Sequence, residues 1–305
     1  MLDAPAHRRS GARPLARRFV VSASSRYISP LRYPGGKASW LPMLRPLADE
    51  GREVWFEPFA GGLGAGLGLL AEGTVDELWF CEAHPALAAF WQAVIDSPAV
   101  LAERLERTEL DLDTFYRARA VVGGEPGDDD MPSWLAALVV NRGSFSGVIA
   151  PNVGPIGGKA QTGRWRVDAR WNAAALAQRI RRLGELAPRM TMIGHDALSA
   201  LDEIGSSGVS DAVVVFIDPP YTDVGERLYV HGMNSPSLHA RLAATLSGAE
   251  FDWIATYDDS PLVHELYGAG HLEVRTVPVM HRANRVHADT ELLIAPRGLL
   301  EVMAS

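Results

Sequence analysis

The chain has little cysteine, no long apolar run and no excess of positive charge, and each shortage removes a class of protein. Cys81 is the only cysteine among 305 residues, which excludes a disulfide framework and a thiolate cluster for zinc or iron–sulfur. No apolar run approaches the roughly 20 residues that a membrane-spanning helix needs, so we expect a soluble protein. The net charge of −8 argues against a protein that coats nucleic acid. The histidines show no metal-ligand spacing, and we expect no metal site.

The first twenty residues hold five arginines and one aspartate. They lack the clear amphipathic repeat of a transit peptide, so we expect a disordered basic tail over residues 1–26. No secretory signal is present, and we expect a cytoplasmic protein that is bacterial or phage-encoded.

Positive charge is concentrated in residues 141–190, which carry nine basic and two acidic side chains. The basic residues are Arg142, Lys159, Arg164, Arg166, Arg170, Arg179, Arg181, Arg182 and Arg189. A solvated helix face would explain the arginines of 178–189, but not Arg164 and Arg166 on either side of Trp165. A basic face on an acidic body is typical of an enzyme that touches a polyanion at one place.

Strand and helix patterns alternate along most of the chain, which predicts an α/β fold with a parallel sheet and helices on both faces. The predicted strands are 54–59, 78–83, 190–194, 212–217, 253–257, 272–280 and 291–295. The predicted helices are 64–71, 85–96, 99–107, 173–186, 236–246 and 261–267. The alternation is interrupted at 109–187. We expect an inserted, mainly helical subdomain there, within a catalytic domain formed by 27–108 and 188–305.

The stretch "DAVVVFIDPPY" places a carboxylate and an aromatic ring directly after an apolar strand. Pro219 and Pro220 impose a stiff, extended exit from that strand. Ligands of open α/β sheets bind outside the carboxyl ends of the strands, where Asp218 and Tyr221 must lie. A stiff turn with a solvated carboxylate is the alternative, but it leaves Tyr221 unexplained.

Two glycine-containing stretches add ligand-binding features. In "LRYPGGK", Gly35 and Gly36 permit close backbone approach beside Lys37, although the stretch lacks the spacing of a phosphate-binding P-loop. In "VWFEPFAGGLGAG", a strand runs through glycines into a helix, which is a nucleotide-binding arrangement. Glu82 follows at the tip of the next strand, where a carboxylate suits ribose hydroxyls. The glycine spacing disfavours a dinucleotide-dependent oxidoreductase.

Together these stretches resemble the DNA adenine methyltransferases of the class that includes the GATC-methylating bacterial and phage enzymes. In that family an aromatic-x-Gly-Gly-Lys element precedes E-P-F-x-G and an acidic ribose-binding residue, and D-P-P-Y follows an inserted recognition domain. The resemblance covers about residues 27–296 and includes "FYRAR" at 115–119 and "VVNRGSFSG" at 139–147. Leu63 stands where many members have a second glycine. Ser146 replaces the usual asparagine, which leaves the DNA sequence specificity open.

The resemblance implies a Rossmann-like methyltransferase sheet, S-adenosyl-L-methionine as cofactor and double-stranded DNA as substrate. The cofactor contacts that it implies are Tyr33, Lys37, Glu57, Phe59, Gly61, Gly62, Glu82, Asp196 and Asp218. The catalytic stretch that it implies is Asp218, Pro219, Pro220 and Tyr221. Local charge separately predicts DNA contacts by Arg142, Lys159, Arg164 and Arg166.

The carboxylate after the fourth strand suits transfer of a methyl group to the 6-amino group of adenine. That amine is a poor nucleophile because its lone pair is delocalised into the ring. The Asp218 carboxylate and the Pro219 carbonyl would each accept one N–H and stabilise the developing positive charge. The ring of Tyr221 would stack on a base that has been flipped out of the duplex.

The same chemistry would serve methylation of adenine in RNA or of glutamine in protein. Protein-glutamine enzymes usually have asparagine at the position of Asp218 and lack the lysine element, whereas RNA is harder to exclude. A catalytically dead DNA-binding module would be expected to have a damaged D-P-P-Y stretch. We expect a monomer. The recognition sequence, a cognate restriction endonuclease and a phage or chromosomal origin stay open.

Overall fold

The computed structural model describes residues 28–33, 35–49, 51–222, 235–268, 270–281 and 287–303. The basic tail predicted over residues 1–26 lies outside the described residues.

The described residues form a seven-stranded sheet with the order β3-β2-β1-β4-β5-β7-β6. The strands are β1 Val54–Glu57, β2 Glu77–Cys81, β3 Met190–Gly194, β4 Val213–Ile217, β5 Asp252–Asp258, β6 Leu272–His281 and β7 His287–Pro296. The first five are parallel, and β7 is antiparallel to both β5 and β6. The prediction of a parallel sheet is therefore wrong for β7. Only residues 282–286 join β6 to β7, and a parallel crossover needs about a dozen residues or more.

Eleven α-helices accompany the sheet in the described part of the chain. They are α1 Leu41–Asp49, α2 Gly64–Glu72, α3 Pro85–Asp96, α4 Pro98–Arg107, α5 Leu112–Val122, α6 Ser133–Gly143, α7 Ala173–Leu186, α8 Ala197–Ser206, α9 Pro236–Ser247, α10 Pro261–Tyr267 and α11 Leu299–Val302. Ser235 caps α9 by accepting a hydrogen bond from Leu238 N, as its Ser-Pro start predicts. No single described helix is long and apolar enough to cross a membrane, and only the bent pair α3–α4 passes that test by length and composition.

Both faces of the sheet are covered. Successive strand residues point to opposite sides, and on the central strand both sets of side chains are buried. On β4, Val214 and Phe216 belong to one hydrophobic cluster, and Val213, Val215 and Ile217 belong to another. All five β4 side chains are buried. This strand is therefore central and covered on both faces, and Asp218 is the first residue beyond it.

The segment between β2 and β3 contains α3 to α7 and a long loop at 144–172. Helix α6 packs against α3 and α5, and α7 packs against α4. Phe115, Leu138 and Ile180 of these helices share one hydrophobic cluster with the sheet residue Phe80. The helices are thus anchored on the sheet, and the subdomain bounds of 109 and 187 stay a prediction.

Candidate active site

Asp218 lies at the carboxyl end of β4 and is held through one of its two carboxylate oxygens. Its Oδ1 accepts hydrogen bonds from Lys37 Nζ at 2.8 Å and from Thr256 Oγ1 at 2.7 Å. Its Oδ2 accepts none from any residue that the structure describes, and the side chain is 25% exposed. The carboxylate is therefore fixed in orientation while one oxygen stays available to a ligand.

Lys37 joins the "YPGGK" stretch to the "DPPY" stretch. Its buried ammonium donates to Asp218 at 2.8 Å, to the Tyr221 hydroxyl at 2.9 Å and to the Gly35 carbonyl at 2.9 Å. A second carboxylate oxygen, Glu291 Oε2, is 3.4 Å away. Nζ also lies 5.2 Å from the centre of the Tyr221 ring. A buried ammonium is stable only with such partners, so the cluster is a structural unit.

The chain beyond Tyr221 is tied to the end of β5. Thr222 donates from its backbone N–H to Asp258 Oδ1 at 2.9 Å and from its hydroxyl to Asp258 Oδ2 at 2.6 Å. The Thr222 hydroxyl also contacts the Ser260 hydroxyl at 2.7 Å. Pro219 and Pro220 are buried between these anchors. The Pro219 carbonyl therefore belongs to a backbone that is restrained on both sides.

The glycine loop after β1 is closely packed against Tyr33. A Cβ atom at Gly61 or Gly62 would lie 2.7 or 2.8 Å from Tyr33 side-chain atoms, so both positions require glycine for this contact. Leu63 follows these glycines and adopts a left-handed φ of 49°. Glycine adopts this left-handed conformation with less strain than leucine does.

Glu57 is buried beneath this loop and serves as its anchor. Its Oε1 accepts hydrogen bonds from Gly66 N at 2.6 Å and from Trp55 Nε1 at 3.0 Å. Burial raises the pKa of Glu57 to about 8, despite these hydrogen bonds. The side chain is therefore mostly protonated at neutral pH and retains an O–H that can donate.

Glu82 connects the end of β2 to the glycine loop. Its Oε2 accepts from Gly61 N at 3.1 Å and its Oε1 from His84 N at 2.8 Å. Burial raises the pKa of Glu82 to about 7, against the opposing effect of these backbone N–H groups. Each oxygen retains a further lone pair, so the carboxylate can accept two more hydrogen bonds.

Phe59 follows β1 and Asp196 follows β3, the strands on either side of β2. Phe59 is partly buried and packs against the second hydrophobic cluster. Asp196 caps α8, because its Oδ1 accepts from Ser199 N at 2.7 Å, and this bond lowers the pKa of Asp196. Its side chain is more exposed than that of Glu82.

The predicted DNA-contacting residues divide into an exposed group and one buried residue. Lys159, Arg164 and Arg166 lie on the loop at 144–172, here called the basic loop, and none forms an ion pair with any residue that the structure describes. The guanidinium carbon of Arg164 lies 4.9 Å from the ring centre of Trp165, which is 61% exposed. Charged and aromatic groups are thus presented together.

Gln161 gives the basic loop a defined shape. Its amide nitrogen donates to the carbonyls of Ile156 at 2.7 Å and Gly158 at 2.6 Å, and its oxygen accepts from Val167 N at 2.9 Å. Ile156 N in turn donates to the Gly143 carbonyl at 2.8 Å, at the end of α6. The loop is therefore closed on itself and fastened to a helix.

Arg142 does not share the exposed surface with the other three predicted residues. It is buried on α6, and its guanidinium donates to the Pro30 carbonyl. Burial and the nearby Arg179, Arg32 and Arg170 lower the pKa of Arg142 to about 9. In this arrangement Arg142 stabilises the segment before Tyr33, and the structure does not support a direct contact with DNA.

Several residues that shape the site were not singled out from the sequence. Asn141 binds both backbone groups of Arg32, accepting at 2.9 Å and donating at 2.8 Å, and so fixes the segment that leads to Tyr33. Phe145 on the basic loop is 57% exposed. Thr256 is a polar residue within an apolar strand, which is a signal that could have been read. Glu291 gave no such signal, because the sequence marked it only as the first residue of a predicted strand.

The seven-stranded sheet, with helices on both faces and carboxylates at the ends of β2 and β4, has a Rossmann-like arrangement. Residues 33–280 match the family model described as D12 class N6 adenine-specific DNA methyltransferase. The chain belongs to this family. Membership confirms the resemblance that the motifs indicated and implies S-adenosylmethionine as the methyl donor.

Among solved structures, the chain is similar to two structures of the rRNA methyltransferase AviRa from Streptomyces viridochromogenes. One is 17% identical with a TM-score of 0.40, covering 92% of this chain and 96% of that chain. The other is 18% identical with a TM-score of 0.36, covering 88% and 86%. Likeness at this level does not bear on the substrate. No curated protein sequence matches the chain significantly.

The residues around the glycine loop fit S-adenosylmethionine. A partly exposed tyrosine ring, Tyr33, lies against the Gly61–Gly62 backbone, and Glu82 offers lone pairs for ribose hydroxyls beside it. Asp196 follows the adjacent strand β3. When bound, S-adenosylmethionine supplies an electrophilic methyl group.

Proposed function

We propose that the protein is a site-specific DNA methyltransferase that modifies the exocyclic 6-amino group of adenine in double-stranded DNA. The observation that carries the proposal is the arrangement of Asp218, whose Oδ1 is held by Lys37 and Thr256 while Oδ2 stays available. Membership of the D12 family supports adenine as the target base.

Asp218 and the Pro219 carbonyl act as a pair of acceptors for the two N–H groups of the target amine. Accepting both hydrogens draws electron density onto the nitrogen and stabilises the positive charge that develops there. Because Lys37, Thr256 and the Thr222–Asp258 contact already restrain this stretch, little reorganisation is needed during the reaction.

A flipped adenine would stack on the ring of Tyr221, whose hydroxyl is held by Lys37 at 2.9 Å. Tyr33, Glu57 and Glu82, around the glycine loop, hold the cofactor. Phe59 after β1 and Asp196 after β3 complete that contact set.

The basic loop binds the DNA in this proposal. Lys159, Arg164 and Arg166 are exposed and lack internal carboxylate partners among the described residues, so they are available to phosphates. The basic loop lies next to the segment that leads to Tyr33, because the Asn141 side chain donates to the carbonyls of both Arg32 and Gly147. DNA that binds here would therefore lie beside the segment that carries Tyr33.

The first experiment expresses the protein in a host without adenine methylation and maps modified adenines by long-read sequencing. We expect N6-methyladenine within one short recurring sequence. The Asp218→Ala variant should leave no modification, whereas Asp202→Ala, at an exposed aspartate on α8, should behave as wild type.

The second experiment separates DNA from the competing substrates. Transfer of labelled methyl is compared on duplex DNA, on RNA of the same sequence and on protein extracts, with the product identified by mass spectrometry. Label on RNA adenine or on glutamine, with none on duplex DNA, would contradict the proposal. Size-exclusion chromatography with light scattering tests the expected monomer.

A further inference from the structure

Glu291 is a buried carboxylate that the reaction outlined above does not use. It lies on β7, with a side chain that is 4% exposed, and pairs in register with Asp258 of β5. The antiparallel direction of β7 brings this early part of the strand beside the carboxyl end of β5, at the same edge as Asp218. Its carboxylate thereby comes within 3.4 Å of Lys37 Nζ.

The buried cluster contains one cation and two carboxylates. Lys37 donates to Asp218 and to the Tyr221 hydroxyl, and Tyr221 in turn hydrogen-bonds to Glu291. With both carboxylates ionised, the formal charge of Lys37, Asp218 and Glu291 together is −1. Lys37 paired with Asp218 alone would be neutral.

That difference in charge matters for the acceptor oxygen. The target amine gains positive charge as it reacts, and a preorganised negative charge stabilises it. Lys37 draws on the charge of Asp218 through Oδ1, and a second carboxylate on Lys37 offsets that effect. Asp218 Oδ2, which is not used by the described residues, then keeps more of its negative character.

We propose that Glu291 is a positioning residue for methyl transfer: by holding Lys37 and Tyr221, it orients Asp218 and preserves the negative charge on the oxygen that faces the target amine. The proposal rests on the proposed function, because it assigns Asp218 as acceptor. It differs from a purely structural role, in which Glu291 would only satisfy a buried ammonium.

A double-mutant cycle on Glu291 and Lys37 tests the proposal. The variants are Glu291→Gln, Glu291→Asp, Lys37→Met and Glu291→Gln with Lys37→Met, and the control is Glu301→Gln at an exposed position. Single-turnover methyl transfer is measured at saturating cofactor and DNA. Thermal unfolding and calorimetric binding of S-adenosylmethionine show which variants remain folded and competent to bind.

We expect Glu291→Gln to lower the transfer rate by about tenfold or more, a fraction of the loss that follows removal of a direct electrostatic partner. Cofactor affinity should change by less than about threefold. Glu291→Asp should recover part of the rate. In the Lys37→Met background, Glu291→Gln should have little further effect, because Glu291 acts through Lys37.

The pH profile gives a second readout. Burial raises the pKa of Glu291, so its negative charge is lost as pH falls through that raised value, and the wild-type rate should fall with it. The charged or titratable described groups around it are Lys37, Asp218, Tyr221 and Asp258, while its partner on β6 is Val277. The inflection should be absent from Glu291→Gln.

Two outcomes would overturn the inference. One is a wild-type transfer rate in Glu291→Gln, and the other is an equal loss in the presence and absence of Lys37. Transfer to RNA but not to duplex DNA would reject the proposed substrate, and the same cycle on RNA would still decide the role of Glu291. A wild-type protein that methylates no nucleic acid would reject both.

Discussion

At the scale of single residues, the site depends on carboxylates whose surroundings differ sharply. Glu57 and Glu82 are buried and have raised pKa values, whereas Asp196 caps a helix and has a lowered pKa. Asp218 lies between a buried lysine and solvent. Tyr221 was predicted to act through its ring, and the structure adds a hydroxyl that bonds to Lys37.

Asp218→Ala should abolish methyl transfer while affecting cofactor binding much less. Its acceptor oxygen is needed as charge develops on the amine, and loss of one such partner costs about 100- to 1,000-fold in rate. Single-turnover transfer and calorimetry measure the two effects separately. Substantial turnover by Asp218→Ala would contradict the mechanism. The exposed Asp202→Ala is the matched control.

Cofactor affinity should rise with pH around neutrality because of Glu82. Its pKa is about 7 in the free protein, and ribose hydroxyls that donate to the ionised form would lower it on binding. Binding therefore releases protons, and affinity increases by up to about tenfold per pH unit as pH rises towards about 7, above which it levels off. Calorimetry in buffers of different ionisation enthalpy measures the release. Glu82→Gln should bind more weakly by about 1–3 kcal/mol and lose this part of the pH dependence.

At the scale of elements, the basic loop and the glycine loop are shaped by opposite means. The basic loop is closed by the side chain of Gln161 and exposes its charges. The glycine loop is held by two buried carboxylates: Glu82 accepts from Gly61 N in the loop, and Glu57 accepts from Gly66 N in the first turn of α2. One loop therefore offers cations to a polyanion, and the other presents a compact backbone to a small ligand.

Charge reversal on the basic loop should weaken DNA binding and reduce its dependence on salt. Each lost phosphate contact lowers the log–log slope of affinity against salt by about 0.9. The double variant Arg164→Glu with Arg166→Glu is compared with Arg297→Glu, which lies after β7 at the opposite edge of the sheet. Fluorescence anisotropy at several salt concentrations provides the slopes. Unchanged affinity and slope would place the DNA surface elsewhere.

At the scale of the whole molecule, the buried carboxyl group of Glu57 makes the free energy of unfolding depend on pH. Burial raises the pKa of Glu57 from 4.5 to about 8, so the folded state favours the neutral form. This contribution to stability is complete below the unfolded pKa and is lost as pH rises towards 8. Near neutral pH, the burial of Glu57 therefore lowers the free energy of unfolding.

Glu57→Gln should remove this pH dependence. Between pH of about 5 and about 8, the stability of the variant should rise relative to wild type by a few kcal/mol, since each pKa unit corresponds to about 1.4 kcal/mol. Urea unfolding across that range measures the difference. The exposed Glu53→Gln is the control. Parallel curves for wild type and Glu57→Gln would show that Glu57 ionises normally in the folded protein.

The sequence by itself determined most of the elements and the edge of the sheet at which the site lies. The helices at 85–96, 173–186 and 261–267 have the predicted bounds, because periodicity and caps are local properties. Asp218 and Glu82 follow buried strands, and the carboxyl ends of parallel strands must share an edge.

Only the tertiary structure decided which of these residues meet and which are buried. Lys37 and Asp218 are separated by 181 positions, and no local pattern states that they form an ion pair. The antiparallel β7 brings Glu291 to the same edge, and the packing of α6 against the segment before Tyr33 buries Arg142. Long-range contacts of this kind depend on how whole elements pack, and a charged residue looks the same in sequence whether it faces solvent, a ligand or the core.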